Sequence, residues 1–181
     1  MTTEVIFDKE EVAKYLVYLY HKERNGKMIT PIKLQKGLYF FFAMWGGKIL
    51  SGQADDVNDI EFSVANFHPY LFYPKFYAWR YGPVDTDIYH WFKEHLGYES
   101  FRIAEEFKLS KKDGIDDEEY QYAVDYIDSL SRRIFNTGDF ALVDFSHQDE
   151  CWKEARARDD TPGDNLMDNR RIIEEYACSE A

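Results

Sequence analysis

Thr30-Pro31-Ile32-Lys33-Leu34-Gln35-Lys36-Gly37-Leu38-Tyr39-Phe40-Phe41-Phe42-Ala43-Met44-Trp45-Gly46-Gly47 is the stretch on which the fold turns. Thr30 is a good N-cap, because its hydroxyl can accept from a free N–H of the first helical turn. Pro31 follows at the first helical position, where a missing N–H costs nothing. Ile32, Leu34, Leu38, Phe41, Phe42 and Trp45 then cover much of the circumference. A helix that is apolar nearly all round belongs at the centre of a core, so other helices are expected to pack about this one. Gly46-Gly47 reads as its stop.

Upstream, Asp8 and Glu11 form a candidate capping box, and Val12, Tyr15, Leu16 and Leu19 give a helix one apolar face. Asn25-Gly26 ends it. Downstream, Ser51 to Asp59 is polar and reads as a mobile surface loop. Glu61 to Tyr81 is rich in Phe, Tyr and Val, and Phe72, Phe76, Tyr77 and Trp79 suit one or two short strands. Pro69 and Pro74 make these edge strands or irregular segments. Gly82-Pro83 reads as a turn. Asp85 or Thr86 opens a third helix through Ile88, Tyr89, Trp91, Phe92 and Leu96, ended by Gly97. After a mixed connector over 99–115, Asp116-Asp117-Glu118-Glu119 starts a fourth, with acids where the helix dipole favours them. It closes at Asn136-Thr137-Gly138. Two shorter helices follow around Asp139–Phe145 and Asp149–Arg156, then a break at Thr161-Pro162-Gly163 and a last helix over Asn165–Ala177. The pattern predicts a mainly α protein: a single-domain helical bundle over residues 1–181, with a small antiparallel β element near residues 60–81. No repeat or interdomain linker interrupts it.

The chain has 181 residues and is 45% hydrophobic, enough for a core without metal or disulfide support. Of its 32 aromatic residues, 22 lie in residues 1–98. They suit a large core, and equally an exposed patch of the kind that anchors protein interfaces. The net charge is −12, and the acidic excess is concentrated: residues 1–98 carry 12 acids and 11 bases, residues 99–181 carry 22 and 11. Such a surface repels phosphate, which disfavours direct nucleic-acid binding, and it steers basic partners or simply keeps the protein soluble. Cys151 and Cys178 are too few and too far apart for a disulfide framework or a Cys-rich zinc site. They fit a reducing cytoplasm. No signal peptide and no span of about 20 apolar residues is present, so a cytoplasmic protein without membrane attachment is expected.

Several polar residues invite a role. Lys33 and Lys36 lie three apart on the apolar second helix and can share a face. A buried Lys requires an acceptor, so each is either a structural pair or a polar anchor for a partner. Trp79-Arg80-Tyr81-Gly82-Pro83 joins a strand to a helix. It either locks that helix to the core or presents Arg80 and Tyr81. His147 and Trp152 flank a helix junction and suit packing. Asp144 lies three before His147, which leaves open a weak hydrolase reading, but no Gly-x-Ser-x-Gly elbow accompanies it. Among His21, His68, His90, His95 and His147 no His-Glu-x-x-His occurs, and Gly46-Gly47 lacks the context of a phosphate loop. No metal and no cofactor is expected.

Four blocks in order resemble the SocA-like, Panacea-type antitoxin domain family. They are Val12-Ala13-Lys14-Tyr15-Leu16; Ile29 to Tyr39, with its Lys33-Leu34-Gln35-Lys36; Phe76-Tyr77-Ala78-Trp79-Arg80-Tyr81-Gly82-Pro83-Val84; and Leu142 to Ala155, with Ser146-His147 and Trp152. The third is the most specific. Gly37, Ser146 and Cys151 stand where that family commonly has Leu, Thr and Pro, and the stretch between Trp45 and Tyr77 is longer than usual. The resemblance implies a bacterial or phage-associated antitoxin that is not an enzyme. It would neutralise a cognate toxin, encoded next to it, by protein–protein binding. Lys33, Gln35, Lys36, Trp79, Arg80, Tyr81, His147 and Trp152 are the implied partner-binding residues. An acidic regulatory adaptor or DNA mimic is the alternative.

Overall fold

The computed structural model describes residues 4–52, 66–95, 106–158 and 165–178. Among them are α1 (Lys9–Glu23), α2 (Pro31–Ser51), β1 (Phe76–Trp79), β2 (Gly82–Asp85), α3 (Thr86–His95), α4 (Asp117–Phe135), α5 (Asp139–His147), α6 (Glu150–Ala157) and α7 (Asn169–Cys178). The protein is mainly helical with a minor antiparallel β element, as the periodicity predicts. The loop expected over Ser51–Asp59 lies largely outside the described residues, as do the helix end at Gly97 and the break at Thr161–Gly163. Among the described residues no helix is long and apolar enough to cross a membrane.

α2 is the hub. Leu34, Leu38, Tyr39, Phe41, Phe42, Ala43 and Trp45 are fully buried, and the helix touches α1, α3, α4, α5, α7 and β2. Its start follows the sequence reading: Thr30 Oγ1 accepts from Lys33 N at 3.1 Å, with Pro31 in the first turn. Its end does not. The helix runs through Gly46-Gly47 to Ser51 and stops at Gly52, whose left-handed backbone (φ 67°) forms the C-cap. The glycine pair stays helical because α7 lies against it. A Cβ on Gly46 would collide with the Ile173 side chain, and one on Gly47 would sit 2.8 Å from the backbone carbon of Tyr176. The roughly 1 kcal/mol that a glycine costs in a helix interior is offset by this close approach. Gly37 does the same towards α1, where its Cβ would meet Leu16 at 2.7 Å.

Other local signals resolve differently from their first reading. Asp8 caps α1 by accepting from Glu11 N at 3.1 Å. Glu11 does not return the bond, and its carboxylate instead takes Ser110 N at 2.6 Å. The last helix begins at Asn169 rather than Asn165, because residues 165–167 extend alongside β1: Ala78 N donates to Asn165 O at 2.8 Å and Met167 N to Phe76 O at 2.7 Å. The hairpin turns at Arg80-Tyr81, and Gly82-Pro83 opens β2 in the register Trp79↔Gly82, Ala78↔Pro83, Tyr77↔Val84, Phe76↔Asp85.

The segment before the hairpin is tied to α4 by a charged brace. His68 Nδ1 and its backbone N–H meet the buried carboxylate of Glu119, and His68 Nε2 lies 2.8 Å from Glu4. Burial opposes the imidazolium charge, but the two carboxylates outweigh it and raise the His68 pKa. The charged imidazolium therefore contributes stability that is fully present below the unfolded value of 6.5 and lost as pH rises through the folded one. In denaturant titrations, the stability difference between wild type and His68→Asn should shrink across that interval. Gly47→Ala should destabilise by about 2–3 kcal/mol, overpacking against α7 exceeding the helix-propensity gain.

Candidate functional site

The strand β2 is an edge, and edge strands leave backbone groups unpaired. In an antiparallel pair, alternate residues turn their N–H and C=O away from the partner strand. Here those outward groups belong to Pro83 and Asp85, and α2 satisfies them with side chains. Gln35 Nε2 donates to Asp85 O at 3.1 Å, and Asp85 N donates back to Gln35 Oε1 at 2.9 Å. Lys36 Nζ donates to Pro83 O at 2.8 Å. Gln35 and Lys36 thus stand in for a third strand. Asp85 itself is buried: its carboxylate accepts from Ile88 N at 3.1 Å, capping α3, and from Lys75 N at 2.8 Å, and it pairs with Lys9 at 3.0 Å.

Gly82 makes the interlock possible. Its φ of 97° lies where only glycine rests without strain. A Cβ there would collide with Ser146 Oγ and stand 2.8 Å from Lys36 Cε. The buried hydroxyl of Ser146 is turned back on its own helix, donating to Val143 O at 2.8 Å.

Beside this interlock opens a cavity of about 610 Å³, lined by Pro31, Ile32, Gln35, Lys36, Trp79, Arg80, Tyr81, Val84, Tyr89 and Arg156. It therefore gathers Gln35, Lys36, Trp79, Arg80 and Tyr81 from the predicted set. Tyr89 packs edge-on against Trp79, centroids 5.2 Å apart, while Arg80 lies over the Tyr81 ring. Tyr81 is 54% exposed at the rim and Lys36 only 1%. Lys36 has one acceptor among the described residues, and burial pushes its ammonium down to about 7. Among the described residues, the cavity walls carry Lys36, Arg80 and Arg156 and no carboxylate, in a chain whose net charge is −12.

The remaining predicted residues lie around this site. Trp152 braces the hairpin from α6, its Nε1 donating to Trp79 O at 3.1 Å, and Arg156 one turn on donates to Ala78 O at 3.3 Å. His147 stacks on Trp152 at 4.2 Å, a packing arrangement. Asp144 is exposed. Lys33, three residues from Lys36, serves another junction. Its Nζ donates to Phe135 O and Thr137 O at 3.2 and 2.9 Å, neutralising the carbonyl end of α4, and it lies 3.5 Å from Asp139. Sequence reasoning missed Tyr89 and Arg156. The signal for Arg156 was its i,i+4 spacing from Trp152.

A second polar cluster fixes α6 and α7. The hydroxyls of Tyr39 and Tyr176 both donate to Asp149 Oδ2, at 2.5 and 2.8 Å. Burial raises the Asp149 carboxyl above its usual range, against the pull of those two hydroxyls. Glu175 caps α6 from α7 by accepting from Glu150 N and Cys151 N at 2.6 and 2.8 Å. A proline at position 151, common in the family this chain resembles, would lack that second donor. Burial pushes the Cys151 thiol up to about 12, so it is a poor nucleophile. Among the described residues no group of three or more His, Cys, Asp or Glu is placed to hold a metal ion.

The family model described as "Antitoxin SocA-like, Panacea domain" matches residues 61–153, just over half of the chain. The match takes in the hairpin and α3 to α5, and ends within α6. No curated protein and no solved structure matches the chain.

Gly82→Ala should destabilise the protein by roughly 2–4 kcal/mol, through backbone strain and collision with Ser146 and Lys36. Thermal or denaturant unfolding measures it, and a loss below about 0.5 kcal/mol would contradict the interlock described above.

Proposed function

The chain belongs to the SocA-like antitoxin family, carrying its Panacea domain, and from that membership we propose that it neutralises a cognate toxin protein, encoded next to it, by direct binding rather than by catalysis. The carrying observation is where the most specific sequence block lies. Trp79, Arg80 and Tyr81 border an open, largely apolar recess instead of disappearing into the core. Trp, Tyr and Arg are the residue types that dominate protein–protein hot spots, and here they surround a recess held rigid from behind by Gln35, Lys36 and Trp152. A preformed recess loses little entropy when a partner seats in it.

Binding without chemistry is supported by the state of the candidate catalytic groups. His147 is stacked on an indole, and Asp144, three residues before it, is exposed. The acidic adaptor or DNA-mimic reading draws on the charge of residues 99–181, 22 acids against 11 bases. Under that reading, partner binding weakens steeply with salt. Under the antitoxin reading, the partner seats on the hairpin face.

Co-expression with the product of the adjacent gene provides the test. Wild type should restore growth and co-purify with the toxin. Tyr81→Ala combined with Arg80→Ala, both exposed and outside the core, should weaken toxin binding by at least about 2 kcal/mol with unfolding unchanged. A neighbour that is neither toxic nor bound would contradict the proposal.

A further inference from the structure

We propose that the recess between α2, the hairpin and α6 receives a short acidic-apolar segment of the toxin, an apolar side chain filling the space between Trp79, Tyr81 and Tyr89 while a neighbouring carboxylate meets Lys36, Arg80 and Arg156. The inference rests on the antitoxin reading and specifies the chemistry of the partner's contact. Three observations carry it.

The first is charge. Among the described residues, three cations and no acid line the recess of a protein with net charge −12. The second is an unfinished donor. An ammonium offers three N–H groups, yet Lys36, 1% exposed, donates to Pro83 O alone among the described residues. Buried charge of this kind is costly unless it is paired, and the shift of its pKa down to about 7 expresses that cost. A carboxylate entering the recess supplies the missing partner. The third is shape. A second hollow of about 430 Å³, bordered by Met28, Leu34, Phe92 and Lys93, shares Pro31, Gln35 and Tyr89 with the first. Among the described residues it too carries a cation and no acid. Two adjoining apolar hollows suit a peptide segment with two anchors better than one small molecule. A nucleic-acid strand carries a phosphate on every nucleotide and would extend past the recess along a chain of net charge −12, whereas a single carboxylate is met within the recess.

Titration of the full-length protein, followed by NMR of the Trp79 indole N–H and the Lys36 Nζ, tests this with three probes of one shape. These are 3-phenylpropionate, 3-phenylpropionamide and phenethylammonium. The carboxylate should shift both signals and bind at least about tenfold more tightly than the amide, the difference a charge-assisted hydrogen bond makes, with the ammonium weakest. In Lys36→Met that preference should fall to within about twofold. Arg156→Met, at a half-exposed site, gives the same comparison should the Lys36 variant not fold. Purified toxin should release the bound carboxylate. Equal binding of carboxylate and amide, no binding at this site, or displacement of 3-phenylpropionate by a single-stranded oligonucleotide would overturn the inference. Toxin neutralised but no carboxylate preference removes this inference alone. Carboxylate bound but no toxin partner removes the antitoxin reading.

Discussion

Everything on the face proposed to receive a partner depends on two adjacent side chains of one helix completing the hydrogen bonds of a two-stranded sheet. A hairpin of two four-residue strands is marginal on its own, and its outer edge would leave three backbone groups of Pro83 and Asp85 without partners. Gln35 and Lys36 supply those partners from α2, and residues 165–167 do the same for the other edge. The hairpin is therefore held on both sides, and its turn, Arg80-Tyr81, is the part left facing solvent. Rigidity behind and exposure in front are what an interface requires.

The rest of the bundle keeps α2 in place. Glycines at 37, 46 and 47 let α1 and α7 approach its backbone, and the Tyr39–Asp149–Tyr176 bonds tie α6 and α7 to the same helix. Lys33 attaches the α4–α5 corner to the first turn of α2. Of the three polar residues near the start of α2, Lys33 thus closes the α4–α5 corner, while Gln35 and Lys36 together close the junction with β2. This explains how an otherwise apolar helix tolerates them: each meets a carbonyl or amide that would itself be unsatisfied without it.

Much of this was legible in the sequence. Thr30-Pro31 marks the start of α2 because its signal is local chemistry, a hydroxyl acceptor and a fixed φ. Gly46-Gly47 was misread as a stop because glycine has two uses, and only the position of α7, distant in sequence, decides between them. The chain reverses at Arg80-Tyr81, two residues before Gly82-Pro83, which reads as the hairpin turn. Gly82 is needed there for its positive φ and for the room it gives Lys36, not because the chain reverses at that point. The late start of α7 has the same origin: Asn165 to Met167 look helical until β1 offers them a strand partner. For the site, the motif residues Gln35, Lys36, Trp79, Arg80 and Tyr81 could be found, since they stand in two compact blocks. Tyr89 joins them through tertiary packing of α3, which no short-range pattern specifies, and Arg156 is signalled only by its i,i+4 spacing from Trp152. The acidic composition also misdirects, because it describes the chain as a whole while the recess has the opposite sign.

The Gln35 side chain acts as a strand for β2 and so builds the face proposed to receive a partner. Amide hydrogen exchange at Asp85, whose N–H is held by Gln35 Oε1, measures this directly. In Gln35→Ala the Asp85 amide should exchange at least about tenfold faster, the loss expected for one buried hydrogen bond, while amides in the middle of α4 keep their protection. An Asp85 amide equally protected in both proteins would contradict the account.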